Sequence, residues 1–300
     1  MNKPSVSIRI TNYNFAKYLN EALQGVFMQK TNFAVEVIIG DDFSTDNSME
    51  VIQNFFQNNH IPENFRVNIL HRTKGDAYSD RRSKLGRLYN FSNTIDACNG
   101  KYIALLDGDD YWTDEHKLQK QFEAMEAEPD VVICFHEARE VYENKPGKQD
   151  AYTVRRLIGQ GRSYYTITDL IRYEWFLPTA SVMVRNNKIE EWPAFFYKSA
   201  SGDICYYYIL LKNGGRIKFI DSPMCVWRRN ADGVTMNQDY NNFVYPNRIE
   251  MYKAIDALLD FKYKAEVEKR IEYFKNKLRS SNEKPGLVIR VLQRLKNRFK

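Results

Sequence analysis

The first 136 residues alternate between strand and helix patterns, and this alternation limits the chain to a small set of folds. Runs such as Ser5–Ile10, Val35–Gly40 and Lys101–Leu106 are strand patterns, and amphipathic segments such as Ala16–Met28 lie between them. Strands separated by helices form parallel pairs, because a parallel strand is reached only through a long crossover. The predicted fold class is therefore α/β, with a doubly wound, mostly parallel sheet covered by helices on both faces.

The alternation ends near Glu137, and the patterns divide the chain into three parts. Residues 1–136 form the α/β half. Residues 137–249 contain shorter strand and helix patterns and are predicted to extend the same sheet as a second wall of a cleft. Residues 250–300 form a helical C-terminal extension with 14 Lys and Arg against 7 Asp and Glu, whereas the first 249 residues are close to neutral.

The tail is predicted to end in an amphipathic segment. Pro285 and Gly286 are expected to break the preceding helix, and residues 287–300 then place apolar side chains on one face and basic ones on the rest. Such a helix can lie in the interface of an anionic membrane, and the alternative is that it docks on the protein's own body. The sequence therefore predicts a cytoplasmic protein whose residues 285–300 are a candidate for peripheral binding to the inner face of the cytoplasmic membrane.

Composition and charge argue against several other classes of protein. No run approaches the roughly 18 apolar residues of a membrane-spanning helix, and the N-terminal residues lack the apolar core expected of a secretory signal. The four cysteines are far apart, which favours reduced, buried thiols over disulfides or a zinc site. The excess of basic residues is confined to the tail, so no specific nucleic-acid binding is predicted.

Two acidic clusters follow strands of the α/β half. Asp41 and Asp42 come directly after the second strand, and Asp107, Asp109 and Asp110 follow the fourth. Ligands of such sheets bind beyond the carboxyl ends of the strands, so these side chains are candidates for one shared site. Neighbouring carboxylates repel each other and can capture Mg²⁺ or Mn²⁺, which prefer oxygen ligands. The alternative is a solvated turn whose aspartates cap the next helix.

Several motifs occur in one order along the α/β half. They are Val6–Asn14 with its T-N-Y-N turn, Glu36–Asp46 with D-D-F-S-T-D, and Asn99–Trp112 with L-D-G-D-D-Y-W. Together they resemble the family 2 glycosyltransferases, nucleotide-sugar enzymes of the GT-A-type, Rossmann-like fold. Ser201–Asp203 and Trp227–Val234 are looser matches to an acceptor-side segment and to a loop over the phosphates. The Q-x-x-R-W signature of the family's processive synthases is absent, which predicts the transfer of one sugar per encounter.

The resemblance implies roles for single residues on the donor side. Tyr13 would offer a flat face to the base, and Asp42 would accept a hydrogen bond from a ring N–H, which uracil and guanine possess. A UDP-sugar is the favoured donor. Asp109, together with Asp107, would bind Mg²⁺ or Mn²⁺. The nucleotide-sugar site as a whole would contain Thr11, Tyr13, Asp42, Asn90 and Asp107.

The resemblance also implies a catalytic carboxylate on the acceptor side. Family 2 enzymes generally invert the anomeric carbon, so a base must take the proton of the acceptor hydroxyl, and Asp203 matches that position. The alternative for Asp203 is a plain helix N-cap, and Glu190 and Glu191 are rival bases without a matching context. The candidate phosphate-binding cations are Arg72, Lys84 and Arg228.

The chain departs from the family pattern in two places. Asn230 stands where many relatives have histidine, so a metal or phosphate contact is expected to be lost or weakened there. Residues 72–82 form a longer and more charged loop than is usual. Among the aromatic residues, Trp112 lies beside the acidic cluster. The two alternatives for its side chain are contact with a ligand and packing in the core.

The leading hypothesis is an inverting, metal-dependent glycosyltransferase that moves one sugar from a nucleoside diphosphate to a hydroxyl of a glycan or lipid-linked acceptor. Its expected place is the assembly of surface polysaccharides or lipid-linked glycans. A sugar-phosphate nucleotidyltransferase would need a glycine-rich phosphate loop after the first strand, and Thr11–Asn14 contains no glycine. The non-enzymatic alternative is an inactive carbohydrate-binding or scaffold protein on the same fold.

Overall fold

The computed structural model describes residues 4–143, 151–159, 162–230 and 239–296, with side chains up to residue 280. The strands in these ranges are β1 (Val6–Asn12), β2 (Val35–Asp41), β3 (Phe65–Ile69), β4 (Tyr102–Asp107), β5 (Tyr111–Trp112), β6 (Val131–Tyr142), β7 (Ala151–Tyr152), β8 (Tyr164–Tyr165), β9 (Met183–Arg185) and β10 (Arg216–Arg229). The helices are α1 (Ala16–Phe27), α2 (Ser48–Asn58), α3 (Ala77–Leu85), α4 (Leu88–Asp96), α5 (Lys117–Glu126), α6 (Thr153–Ile158), α7 (Ile167–Tyr173), α8 (Ala194–Lys198), α9 (Gly202–Leu211), α10 (Tyr245–Leu258) and α11 (Lys264–Lys296).

The strands of the described ranges form one mixed sheet in the order β3-β2-β1-β4-β9-β6-β10-β5, with β7 beside β6 and β8 beside β10. The four strands from β3 to β4 are parallel, as the alternating pattern predicts, and β6 and β10 are parallel to each other. β9 is antiparallel to both β4 and β6, because the chain enters it from a short turn, Thr179–Ser181, at the carboxyl end of β4. The predicted α/β class is confirmed, and the sheet is mixed.

Helices cover both faces of the sheet, and each face has its own apolar core. Ile8 and Ile10 of β1 pack with α1, α2 and α5 on one face. Ile38 and Leu105 belong to the other face, where they pack with residues of α4, α9 and α10. Burial of these side chains supplies the main driving force for folding. The carboxyl ends of β1, β2 and β4 are left between the two layers, at one edge of the sheet.

The strands of the second half are longer than predicted, and this changes the setting of several residues. β6 continues to Tyr142, across the predicted boundary at residue 136, so residues 1–136 and 137–249 share the sheet. β10 continues to Arg229, although the sequence predicts its end at Ile220. The ladder shifts register on either side of Pro223, because proline cannot donate a ladder hydrogen bond. Trp227 and Arg228 therefore lie on a strand and not in a loop.

Two helices also differ from the prediction. α3 begins inside the segment 72–82 that was predicted to be a loop and continues to Leu85, and Asp76 caps it by accepting a hydrogen bond from the Ser79 backbone N–H. The outer face of α3 is polar, so its sequence lacks the apolar periodicity from which a helix is predicted. In the tail, α11 runs through Pro285 and Gly286, where a break was expected. Within the described residues, no helix is long and apolar enough to cross a membrane.

Candidate active site

Three neighbouring parallel strands bring the predicted donor-side residues to one edge. In the register, Thr11 of β1 lies beside Asp107 of β4, and Asn12 of β1 lies beside Asp41 of β2. The turns that follow these three strands therefore meet. Tyr13, in the turn after β1, is 52% exposed, so its ring is open to solvent at this edge.

In the turn after β2, the carboxylate of Asp41 accepts hydrogen bonds from nearby residues of the protein itself. Asp41 accepts hydrogen bonds from the side-chain amide of Asn12 at 2.6 Å and from the backbone N–H of Ser44 at 2.9 Å. The Ser44 hydroxyl also donates to it. Asp41 is therefore a structural residue that closes the turn between β2 and α2.

Asp42, the next residue, is paired with α3. Arg82 donates from Nε to both carboxylate oxygens of Asp42, at 2.9 and 2.8 Å, and the Tyr78 hydroxyl donates to one of them at 2.7 Å. Asp42 is buried, so this ion pair compensates its charge where water does not reach it. The partners come from the segment that was predicted to be a loop. A contact between Asp42 and a nucleotide base stays a prediction.

Arg72 and Asn90 support the same turn from behind. The Arg72 guanidinium lies 3.8 Å from the centroid of the Tyr78 ring and donates to the backbone carbonyl of Asp41 at 2.7 Å and to the Asn90 side chain at 2.6 Å. Asn90 donates to the carbonyl of Gly40 at 3.1 Å. Both residues therefore link α4 to the end of β2. The Arg72 guanidinium is occupied by contacts within the protein. Its phosphate contact and the nucleotide contact of Asn90 stay predictions.

The turn after β4 has fewer partners. One oxygen of Asp107 accepts hydrogen bonds from the Thr11 hydroxyl at 2.6 Å and from Arg9 Nη1 at 2.8 Å. Arg9 is fully buried on β1, with its guanidinium 4.1 Å from the centroid of the Phe91 ring. Arg9 was not among the predicted site residues, although a charged residue at the centre of an apolar strand is a signal that could have identified it.

Asp109 and Asp110 carry the least compensated charges of this edge. Asp109 accepts a hydrogen bond from the Asn230 side chain at 3.0 Å. Burial and the charge of Asp107 raise the pKa of Asp109 to about 7. Asp110 accepts from the backbone N–H of Arg228 at 2.8 Å, and burial and the charge of Asp109 raise its pKa well above the usual range. A cation placed here would stabilise the ionised forms.

The donor set of this turn fits a hard divalent cation. Among the described residues, no three or more His, Cys, Asp or Glu side chains are grouped so that they could hold a metal. Mg²⁺ and Mn²⁺ do not need such a cage, because one or two carboxylates together with substrate phosphates and water can bind Mg²⁺. Asp107 and Asp109 supply the carboxylates. The buried Oδ1 of Asn230 has no hydrogen-bond donor in the described structure, and it is a further oxygen beside Asp109.

The two remaining phosphate candidates occupy different positions. Arg228 is buried on β10, where it donates to the Asp109 carbonyl at 2.9 Å and forms ion pairs with Glu21 at 2.6 Å and Glu143 at 3.4 Å. It therefore holds the acidic turn against β10 and α1. Lys84 lies on the exposed side of α3. A phosphate contact by either residue stays a prediction.

Asp203 lies in the first turn of α9, after the N-cap residue Ser201. One of its oxygens accepts hydrogen bonds from Trp175 Nε1 at 3.3 Å and from the Thr179 hydroxyl at 3.2 Å. Tyr207, one turn further along α9, is buried and interacts electrostatically with Asp203 and Asp107. The charges of Asp203 and Asp107 therefore both act on this tyrosine, and a site shared by Asp203 and the acidic turn after β4 stays a prediction.

The other acceptor-side candidates are separated from this site. Glu190 and Glu191 line a different cavity together with Asp130 and Gly214, at the opposite ends of β6 and β10. Trp112 is only 2% exposed and donates to the Ala180 carbonyl at 2.8 Å, so it belongs to the core. Trp175 donates to Asp203, and the Trp227 ring lies 4.4 Å from the Trp175 ring; neither was predicted to lie near the candidate base.

Known proteins resemble this chain in sequence and in fold. Residues 7–183 match the sequence model described as Glycosyl transferase family 2. An uncharacterized protein of Mycobacterium tuberculosis is 31% identical over 261 residues, which cover 85% of this chain and 68% of that protein.

Two solved structures share the fold. S. aureus TarS in complex with UDP superposes with a TM-score of 0.58 at 15% identity, over 91% of this chain and 71% of that one. The mannosyltransferase PcManGT from Pyrobaculum calidifontis, in complex with GDP-Man and Mn²⁺, has a TM-score of 0.54 at 13% identity, over 93% of this chain and 70% of that one. The architecture is therefore that of the GT-A glycosyltransferases. The predicted resemblance is confirmed: the chain belongs to glycosyl transferase family 2 and is a nucleotide-sugar glycosyltransferase.

Proposed function

We propose that the protein transfers one sugar, with inversion and in a metal-dependent reaction, from a nucleoside diphosphate to an acceptor hydroxyl. The observation that carries this proposal is that the carboxylates of the site differ in their surroundings. Two of them lie close together, and one lies alone on another element. Asp107 and Asp109 lie close together, and the charge of Asp109 is poorly compensated, as a cation site requires. Asp203 is a single carboxylate on another element, held by two neutral side-chain donors, as a general base requires.

The donor nucleoside binds at the ends of β1 and β2 in this proposal. Tyr13 offers its exposed ring to the base, and Thr11 is held in place by its hydrogen bond to Asp107. Asp42 accepts from the base N–H when Arg82 or Tyr78 shares its oxygens, because a carboxylate has about four acceptor sites. A UDP-sugar is the favoured donor, and the UDP complex of the structurally similar TarS supports that choice.

Asp107 and Asp109 would hold Mg²⁺ or Mn²⁺, which when bound neutralises the charge that develops on the departing diphosphate. The Mn²⁺ in the structurally similar PcManGT supports this assignment. Arg9 donates to Oδ1 of Asp107 and so holds this carboxylate against β1. Asn230 donates to Asp109 and orients that carboxylate towards the same position. With Arg9 and Asn230 holding them, the two carboxylates are arranged to stabilise the departing diphosphate electrostatically through the bound cation.

Asp203 takes the proton of the acceptor hydroxyl as that oxygen attacks the anomeric carbon in a single displacement. Trp175 and Thr179 both donate to Oδ2 of Asp203, and the Ile204 backbone N–H donates to Oδ1. These three bonds fix the carboxylate, so the base is positioned before the acceptor arrives. Removal of such a base costs typically 10²–10⁴-fold in rate.

The acceptor in this proposal is a glycan or a lipid-linked saccharide, in the assembly of surface polysaccharides or lipid-linked glycans. The basic and apolar residues of 285–300 would hold the protein on the anionic inner face of the cytoplasmic membrane. The side chains of this segment lie outside the described residues. Co-sedimentation with anionic liposomes should be lost at high salt and on deletion of residues 285–300. Unfolding of the shortened protein, or its continued binding, would contradict the membrane site.

The transfer proposal is tested by nucleotide release from UDP-sugars and GDP-sugars in parallel, with Mg²⁺, with Mn²⁺ and with chelator. We expect release from one nucleotide class in the presence of metal and a product of inverted anomeric configuration by NMR. Pyrophosphate release from a nucleoside triphosphate and a sugar phosphate would instead indicate a nucleotidyltransferase. Binding of saccharides without any turnover would indicate an inactive carbohydrate-binding protein.

A further inference from the structure

We propose that Arg248 of α10 is a positioning residue for Asp203 and acts by linking the two chain segments that meet at this carboxylate. The inference rests on the proposed function in one respect, because it takes Asp203 as the base. One segment contains Trp175, whose Nε1 donates to Asp203 at 3.3 Å, and Glu174 directly precedes it. The other segment leads into α9 through its N-cap residue, Ser201. Arg248 contacts both Glu174 and Ser201.

This bridge is made by two nitrogens of one buried guanidinium. Nε of Arg248 lies 2.7 Å from Oε1 of Glu174, and Nη2 donates to the Ser201 hydroxyl at 2.7 Å. Arg248 is buried, and only 14% of the Glu174 side chain is exposed, so water competes little for the ion pair. The guanidinium is planar and its donors keep a fixed geometry, so the position of one partner limits the position of the other.

Glu174 is held in a backbone conformation that needs support. Its φ is 63°, a value that residues with a side chain rarely adopt, and such strain persists only where the surrounding structure imposes it. Arg270 of α11 donates to Oε2 of Glu174 at 2.5 Å, so each carboxylate oxygen has an arginine of the C-terminal helices beside it. A strained residue directly before Trp175 indicates that the direction of the indole towards Asp203 is imposed by these contacts.

The segment before α9 is held by the same helix, α10. Asn247 accepts a hydrogen bond from the Ala200 backbone N–H at 2.6 Å and donates to the Lys198 carbonyl at 2.6 Å. The Ser201 hydroxyl makes no capping hydrogen bond in α9, and it accepts from Arg248 instead. Two neighbouring residues of α10 therefore hold this segment at three points, immediately before the turn that carries the base.

The hydrogen bonds that hold Asp203 leave little tolerance for displacement. Trp175 Nε1 and the Thr179 hydroxyl donate to Asp203 at 3.3 and 3.2 Å, whereas hydrogen bonds to a charged partner are usually about 2.7–2.9 Å long. Without the bridge, the segments that carry Trp175 and Asp203 can move apart, and these bonds weaken further. A misplacement of about 1 Å can cost about a hundredfold in rate. The loss should lie in turnover and not in donor binding, because the donor-side residues belong to β1, β2 and β4 and the turns that follow them.

The kinetic test removes the bridge from either end in the full-length chain. Ser201→Ala removes only the hydroxyl, and Arg248→Lys keeps a charge beside Glu174 but supplies one nitrogen in place of the planar fork. We expect each variant to lower kcat for nucleotide-sugar turnover about tenfold or more and to leave KM for the nucleotide sugar unchanged. The double variant should lose no more than the single variants, because both remove the same bridge.

Arg185→Gln is the matched control. Arg185 is also a partly buried arginine, and it donates to the backbone carbonyls of Met125 and Val131, but it lines the separate cavity that contains Glu190. Its loss should leave kcat unchanged even if the free energy of unfolding falls. A lower kcat in the bridge variants is then not explained by lower stability.

A second readout, by NMR, needs no substrate. The chain has four tryptophans, so isotope labelling of tryptophan gives four indole N–H resonances, and Trp175→Phe identifies that of Trp175. Asp203→Asn should move this resonance, because it removes the carboxylate acceptor, and both bridge variants should move it in the same direction. The indoles of Trp112 and Trp192 donate to other acceptors and are internal references.

A normal kcat in folded Ser201→Ala would overturn the positioning role. So would a Trp175 resonance that stays at its parent position in both bridge variants. If Arg248→Lys does not fold, Ser201→Ala decides alone. Absence of nucleotide-sugar turnover in the parent protein, or full turnover in Asp203→Asn, would contradict the proposed function, while the Trp175 resonance would still show whether the bridge holds the carboxylate.

Discussion

The two acidic turns of the sheet edge follow neighbouring strands, yet they differ in how their charge is compensated. In the turn after β2, Asp41 is satisfied by Asn12 and Ser44, and Asp42 by Arg82 and Tyr78. In the turn after β4, Arg9 compensates Asp107, but the pKa values of Asp109 and Asp110 are raised. The first turn is complete as folded, and the second would gain from a cation.

This difference in charge compensation indicates which of the two acidic turns is suited to bind a cation. Carboxylates that are hydrogen-bonded by their own chain stabilise the fold when ionised. Carboxylates that are buried next to each other with few donors cost stability when ionised, and such clusters are typical of functional sites. In the proposed function, the turn after β2 therefore shapes the nucleoside pocket, and the turn after β4 carries the metal and diphosphate chemistry. The predictions below test that division.

The largest effect is expected from Asp109→Asn. The variant removes one charge from the poorly compensated turn, so metal binding fails and turnover falls about a thousandfold or more, since a Lewis acid contributes several kcal/mol. Circular dichroism should be unchanged, because Asp109 has only one side-chain partner in the described structure. Turnover close to that of the parent protein, in metal or in chelator, would assign the metal site elsewhere.

Asp203→Asn should lower turnover about a hundredfold while nucleotide affinity stays the same, because the base acts only in the chemical step. Glu190→Gln is the matched control, because Glu190 lies in a separate cavity. Near-normal turnover of Asp203→Asn would return Asp203 to a capping role in α9.

Asp41→Ala should act on stability in a way that the Asp109 variant does not. It removes the acceptor of Asn12 and of the Ser44 backbone N–H, so the free energy of unfolding should fall by about 2 kcal/mol. Denaturant unfolding with an unchanged m value is the measurement. If Asp41→Ala were as stable as the parent protein and Asp109→Asn were not, the division between the two turns would be reversed.

The smallest effect concerns pH and metal together. Because the folded state raises the pKa of Asp109 to about 7, it binds this proton more tightly than the unfolded chain does. The contribution of Asp109 to stability is therefore lost as the pH rises towards about 7. Above that pH a divalent cation replaces the proton, so Mn²⁺ should raise the Tm by about 2–4 °C at pH ~8 and by less at pH ~5.5. An equal shift at both values would argue against Asp109 as a ligand.

The sequence predicted the donor side well, because its signals are local. The strands before Asp41 and Asp107 are apolar runs in which Glu36 is the one charged residue, and helices such as α2 have clear amphipathic periods. These patterns suffice to place both acidic turns at one edge of a parallel sheet. The α/β class and the family were predicted from these same local patterns, and both predictions are confirmed.

The remaining features depend on contacts between distant parts of the chain. Arg82 and Tyr78 reach Asp42 from a polar helix that has no apolar period, and Asn230 reaches Asp109 from the end of β10. The full length of β10 was missed because Pro223 interrupts its pattern. Nor can a sequence show which tryptophans are buried, so Trp112 was considered for ligand contact, whereas Trp175, which donates to Asp203, was not.

The most direct test of the central claim is calorimetric titration of UDP and of GDP into the protein, with Mn²⁺ and with chelator. We expect one nucleotide to bind at least about tenfold more tightly with Mn²⁺ in the parent protein and to lose this gain in Asp109→Asn. Asp42→Asn should weaken nucleotide binding while keeping its dependence on Mn²⁺. Binding that is equally tight in chelator and in Mn²⁺, or a gain that survives in Asp109→Asn, would contradict the assignment of the turn after β4 as the metal and diphosphate site.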